Sequence, residues 1–305
     1  MQKIYLILPV VLLVVACTRN IHSPTPTPPI SSDYIVSTYA AITSQNDYPI
    51  GVALDPAGNV YACGGDSGTV WKITPDSTIS IVTAIGSTAT DLVCDQQGNI
   101  YVLTFPERNI TKITPTGIVS ILAGGPNPMA EQSDGQGSAA KFKAPNGLDI
   151  DSTGTLYVAD FQSVRRVDQQ GRVTTLYTDT TSDTQFLDVT IDSHQHIYYS
   201  NGTEIWRVDT LGNRQFVAGQ PSPNQIDELR MDNNGDLWLA DEHVVGMVTP
   251  AGADNTIAGK NIGGYADGAG NVAEFGSATG LAVDANGTIF VADAINKKIR
   301  KIVHK

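Results

Sequence analysis

The chain has 305 residues, a formal net charge of -12, 16% charged residues and 41% hydrophobic residues. That composition suits a folded core and excludes an extended disordered chain. The acidic balance argues against nucleic acid as a partner, which needs clustered Lys and Arg, and against docking on an anionic membrane by charge.

The first element, residues 1–16, reads as a signal peptide. Lys3 supplies a positive start, Ile4 to Val15 form an apolar run broken by Pro9, and Ala16 is small. A spanning helix needs roughly 20 apolar residues, so this run is too short to cross a bilayer. The stretch Leu13-Val14-Val15-Ala16-Cys17 resembles the bacterial lipobox. The resemblance implies cleavage before Cys17 and lipid on its sulfur and new amino group. It implies a lipid-anchored place in the bacterial cell envelope, with the membrane reached only through that anchor. An ordinary signal peptide with an incidental Cys17 is the other reading. Residues 17–32 contain Ser23-Pro24-Thr25-Pro26-Thr27-Pro28-Pro29. Proline fixes φ and lacks an amide donor, so this stretch reads as a semi-extended tether.

Residues 33–305 read as one all-β domain built from six copies of a unit. Each copy has an apolar strand, an Asp, a tight turn and a second strand opening on an aromatic. The acids are Asp55, Asp95, Asp151, Asp192, Asp232 and Asp284, and the aromatics are Tyr61, Tyr101, Tyr157, Tyr198, Trp238 and Phe290. Asp caps its own turn two residues on, and Gly or Asn tolerates φ > 0, so Asp-x-x-Gly-x joins two antiparallel strands. A third strand follows, as in Val70-Trp71-Lys72-Ile73, and a fourth, as in Ile118-Val119-Ser120-Ile121-Leu122. Four short strands at a repeat of about 40 residues predict a six-bladed β-propeller of four-stranded blades. Two similar insertions lengthen the spacing, Ala123 to Phe142 and Ala258 to Phe275, each with an Asp-Gly-x-Gly element at Asp134 and Asp267.

The fourth strand lies about 25 residues past the Asp in the first five repeats, a distance that carries the sixth beyond Lys305. An orphan strand, Tyr34-Ile35-Val36-Ser37-Thr38-Tyr39-Ala40, stands before the first repeat. Pairing it with the last blade closes the ring and removes its open edges. The runs Gly280 to Asp293 and Asn296 to Ile302 resemble the NHL repeat, and Gly264-Tyr265-Ala266-Asp267-Gly268 resembles a loop of such propellers. The resemblance covers residues 34 to 305. It implies the fold and leaves the chemistry open, because such propellers host binding proteins and enzymes alike.

Strand alternation sorts the innermost strands. Positions one and three before each Asp are apolar and face blade cores, so positions two and four face the central channel. Two before are Ala53, Val93, Asp149, Thr190, Arg230 and Ala282; four before are Gly51, Asp91, Gly147, Asp188, Glu228 and Gly280, with Asp227 a further acid. This second ring lies nearer the mouth opposite the Asp-Gly turns. Asp91, Asp149, Asp188, Asp227, Glu228 and Arg230 are the ligand-binding candidates. Asp91, Asp188 and Glu228 offer the oxygens that Ca²⁺ or another divalent cation prefers, and they equally suit a polyol. The other reading is a wet channel of solvated acids, with Arg230 paired to Asp149 or Glu228.

The second strands end at the mouth with Gly64, Thr104, Asp160, Asn201, Asp241 and Asp293, where an Asp is expected to brace the following loop. Both insertions are expected to open on that mouth, bringing Phe142, Tyr265 and Phe275 to its rim. His194-x-His196 has a chelating spacing but falls in an Asp-Gly turn, where surface histidines without metal are the expectation. Cys63 and Cys94 sit inside strands and read as unpaired. No nucleophile elbow or phosphate loop is present in the sequence.

These features point to a non-catalytic propeller of the cell envelope that binds a protein or glycan partner through its mouth. The alternative is a metal-dependent hydrolase, lactonase or lyase with a carboxylate-rich site in the channel. Lactonase-type and lyase-type propellers resemble this fold and use metal at the channel mouth; lyase-type sites rely on several histidines, which this channel lacks.

Overall fold

The structure, a computed structural model, describes residues 30–44, 47–126, 131–181, 184–219 and 225–305. The stretch read as a signal peptide, Cys17 and the Pro-rich stretch through residue 29 lie outside the described residues.

Each repeat Asp builds the turn that its spacing predicts. In all six, one carboxylate oxygen accepts the amides two and four residues on, from Ala57 and Asn59 on Asp55 to Asn286 and Thr288 on Asp284, at 2.8–3.0 Å. The residue three on is left-handed, a glycine in five turns and Gln195 (φ 64°) in the fourth. The aromatic six residues on donates to the second oxygen: Tyr61 at 3.3 Å, Tyr101 and Tyr157 at 3.0 Å, Tyr198 at 3.4 Å and Trp238 at 3.1 Å. One side chain thus fixes both the reversal and the start of the next strand.

Six antiparallel sheets follow, one per repeat, arranged as a six-bladed β-propeller. The innermost strands are Gly51–Leu54, Ala89–Cys94, Pro145–Ile150, Val189–Ile191, Ile226–Met231 and Ala278–Val283. The last blade is completed by Tyr34–Ala41, antiparallel to Lys298–His304 with Tyr34 opposite His304, as the orphan strand predicts. Cores lie between neighbouring blades; Val36 of the closing strand packs with Trp238 and Val245 of blade five. Cys63 and Cys94 are both free, and burial holds the Cys63 thiol well above its usual range.

The insertions depart from expectation. Gly135–Gln136 pairs with Arg172–Thr178, and Gly268–Ala269 pairs with Tyr34–Ala41, so blades three and six gain a short fifth strand. Each insertion runs down the outside of its blade and returns between blades. Phe142 and Phe275 are therefore fully buried in the inter-blade cores, not on the mouth rim. The packing is close: a Cβ on Gly124 (φ 80°) would stand 2.7 Å from the Phe142 ring. Of the three aromatics expected on the rim, Tyr265 alone stays exposed, at 49%.

Candidate functional site

The innermost strand of each blade is a sheet edge, and its channel-facing amides have no strand beside them. In blades three, four and five, channel side chains of the preceding blade supply acceptors. Asp91 takes the Leu148 amide at 2.8 Å, Asp149 takes Ile191 at 3.1 Å, Asp188 takes Leu229 at 2.6 Å and the Thr190 hydroxyl takes Met231 at 3.1 Å. These residues join blade two to three, three to four, and four to five. Their first role is to close the ring's inner seams.

Asp91, Asp188 and Glu228 also meet, with ligating oxygens within 4.8 Å of one another. They are 1%, 0% and 4% exposed, so the channel acids are not solvated. Arg230 lies among them. Its Nη2 stands 2.6 Å from Glu228 and 3.2 Å from both oxygens of Asp91, and its Nη1 stands 3.3 Å from Asp188 and donates to the Leu229 carbonyl at 2.8 Å. Arg230 therefore pairs with Glu228 as one reading held, while Asp149 acts on it only at longer range.

Burial raises all four carboxylates, and Arg230 opposes it in each. Asp188 and Glu228 end well above the carboxylate range, Asp188 pushed further by Asp91 and Glu228 by Asp91, Asp188 and Asp149. Burial pulls the guanidinium down, but Glu228, Asp91, Asp188 and Asp149 together hold it well above its usual value. Burial and mutual repulsion thus favour the protonated acids, while the shared guanidinium favours their ionised forms. The glycines of the same ring make room for them: a Cβ on Gly147 would lie 1.8 Å from Asp188 Oδ1.

A Ca²⁺-type site needs six or more oxygens free to converge on one ion. Here a guanidinium occupies the space between the carboxylates, and Asp91 and Asp188 each commit an oxygen to a backbone amide. In this arrangement the residues do not fit a divalent cation. Asp227 stands apart from the cluster. The register shifts between Ile226 and Glu228, and Asp227 is the extra residue, half-buried and bonded to Gln225 at 3.1 Å. Burial raises its pKa to about 6, and Glu242 adds to the shift.

Asp160 and Asp293 do brace loops, but the ones that precede their blades. Asp160 accepts the Lys143 and Ala144 amides at 2.7 and 2.8 Å; Asp293 accepts Gly276 and Ser277 at 2.9 and 3.3 Å. Both are tied to a fully buried arginine that sequence reasoning missed. Arg165 bridges Asp160 at 2.8 Å and Asp134 at 2.9 Å, and Arg300 bridges Asp293 at 2.8 Å and Asp267 at 2.6 Å. The signal was available: the third strands carry Trp71, Thr111, Arg165, Trp206, Gly246 and Arg300 in turn, with Arg only in the two blades that follow an insertion.

Asp192, His194 and His196 bring three ligating atoms together on the turn face. His196 Nδ1 lies 2.8 Å from Asp192, where Asn59 and Asn99 place their amides on Asp55 and Asp95 at 2.7 Å, and Arg207 stands 3.3 Å from its other nitrogen. The histidine does the work of the turn asparagine. An open cavity of about 440 Å³ lies at the mouth end of blade three, and one of about 150 Å³ in the channel on the turn side of Arg230.

No family model matches the chain. Mouse teneurin-4 is 29% identical over 175 residues, which is 55% of this chain and 6% of teneurin-4. A Bacteroides thetaiotaomicron protein of unknown function superposes with a TM-score of 0.73 at 17% identity, over 89% of this chain and 76% of that one. An auxiliary nutrient binding protein of the same organism gives 0.67 at 18% identity, over 89% and 76%. A Xanthomonas campestris gluconolactonase gives 0.71 at 15% identity, over 92% and 96%. At such identities the likeness is one of fold: a six-bladed β-propeller shared by binding proteins and enzymes.

Proposed function

We propose that this protein is a lipid-anchored, non-catalytic binding propeller of the cell envelope that captures a protein or glycan through its mouth face. One observation carries the reading. Arg230 fills the carboxylate cluster in which a metal-dependent lactonase or hydrolase would need its ion. Asp91, Asp149 and Asp188 each give an oxygen to a backbone amide, and Asp91, Asp188 and Glu228 serve as the counter-charges of Arg230, with Asp188 Oδ1 left without a hydrogen-bond partner among the described residues. The likeness to an auxiliary nutrient binding protein is in keeping with a binding role, and the Cys17 motif and Pro-rich tether support the anchored placement.

The test is metal dependence. Millimolar Ca²⁺ or Zn²⁺, or a chelator, should leave the melting temperature within about 1 °C, because a ligand at 100 times its Kd adds about 2.7 kcal/mol to stability. A rise of more than about 5 °C, with chelator-sensitive lactone hydrolysis lost on Asp188→Asn, would establish the enzyme reading instead.

A further inference from the structure

We propose that the cavity at the mouth end of blade three is a binding subsite for a neutral sugar ring, an inference that rests on the mouth-face reading and gives it a place and a ligand class. Its walls are Gln132, Lys143, Phe161, Gln162 and Ser163, with Glu131 and Thr178 at the edge. Its volume of about 440 Å³ lies within the roughly 300–1,000 Å³ of small-molecule sites.

Phe161 is the aromatic wall. It occupies the two-residue turn between the paired Asp160 and Ser163 with φ 58°, a conformation that a bulky side chain adopts at a cost. Its ring belongs to none of the buried cores and is half-buried at the surface. The Lys143 ammonium lies 3.6 Å from the ring centroid, on a flexible stem that can swing aside and donate to a hydroxyl.

The floor is held rigidly. Ser163 Oγ meets Thr178 Oγ1 at 2.9 Å and Gln132 Oε1 at 3.2 Å, and Gln132 Nε2 donates to Asp160 at 2.7 Å. Asp160 in turn is fixed by buried Arg165. An apolar face beside fixed amides and hydroxyls matches a pyranose, which has C–H faces and a polar rim. Lys143 and Glu131 offset each other, and a chain of net charge -12 repels a polyanion, so the ligand is a neutral glycan.

Blade six supplies the internal control. Its insertion repeats the latch of blade three, with Arg300, Asp267, Asp293 and Phe275 in the roles of Arg165, Asp134, Asp160 and Phe142. Its rim differs. Tyr265, Gly276 and Ala294 stand in the places of Gln132, Lys143 and Phe161, and the Tyr265 hydroxyl is bonded to Thr38 at 2.8 Å. What the fold requires is the same in both blades, and the polar-aromatic cavity is a feature of blade three.

The experiment is calorimetric titration of the intact chain with neutral cello-, malto-, xylo- and manno-oligosaccharides and with an acidic oligouronate. Wild type should bind at least one neutral member. Phe161→Gly, which suits the left-handed turn, should keep the melting temperature while weakening that binding tenfold or more, and Lys143→Gly should weaken it less. Unchanged affinity in Phe161→Gly overturns this subsite and leaves the mouth-face reading standing. Binding of the oligouronate alone, or of no member, also overturns it; capture of an envelope protein that Tyr265→Ala disrupts would still support the wider reading.

Discussion

Arg230 and Glu228 lie two residues apart on one innermost strand and face each other at 2.6 Å, with Asp91 and Asp188 reaching the same guanidinium from blades two and four. Three blades therefore share one cation at the axis. Removing one partner of a buried ion cluster leaves charge without compensation and typically costs about 3–5 kcal/mol. Arg230→Met is expected to lose that much in urea unfolding. Adding Glu228→Gln should recover part of the loss, and a loss below about 1 kcal/mol would mean that the cluster adapts by protonation alone.

The latches of blades three and six are expected to act locally. Arg300→Ala removes donors from Asp267, Asp293 and the Glu274 and Ala266 carbonyls. Hydrogen exchange should speed up across the segment from Ala266 to Gly276 and leave Ser133 to Lys143 protected; Arg165→Ala should do the reverse. Because the two sites share no partner, their stability losses should add within about 0.5 kcal/mol.

Asp227 predicts a pH dependence. Its folded pKa of about 6 stands above the unfolded value near 3.9, so the folded state binds the proton more tightly. The stability it contributes is complete below about pH 4 and is lost as pH rises to about 6. Asp227→Asn should flatten the curve in that window by on the order of 1–2 kcal/mol, discounting for partial exposure. Paired denaturation curves at pH 4 and pH 7 measure the difference; a parallel offset at both pH values would refute it.

His196→Asn should be nearly neutral to stability, since Asn59 and Asn99 make the same contact in their own turns. His196→Ala should cost about 1 kcal/mol, the typical worth of one hydrogen bond. Thermal melts with and without Zn²⁺ check both, and a Zn²⁺-dependent rise lost in His196→Asn would reassign the cluster as a metal site.

The architecture was legible because its signals are periodic. The Asp-to-aromatic spacing, the turn glycines and the orphan strand Tyr34 to Ala40 each repeat or complete a pattern, and side-chain alternation correctly sent Asp91, Asp188, Glu228 and Arg230 inward. Alternation gives direction and not distance, so it left open whether the acids faced water or an arginine. It failed at Asp227, where one extra residue shifts the register. The paths of the insertions were not legible either. Phe142 and Phe275 follow glycine-rich loops whose direction is set by buried Arg165 and Arg300, partners 23 and 25 residues further on (165 minus 142, 300 minus 275).

The pairing of Tyr34 with His304 also sets an order in time. The two residues are 270 apart in the chain (304 minus 34). At a synthesis rate of about 5–20 residues per second, the closing strand emerges roughly 15–50 s before its partner exists. Through that interval it is a bare edge that other chains can capture. The four cores among blades one to five can form while it waits, and the two that blade six shares with blades five and one cannot. Ring closure therefore waits on both ends of the chain, since a chain truncated before residue 298 leaves its first strand only the short Gly268–Ala269 segment to pair with.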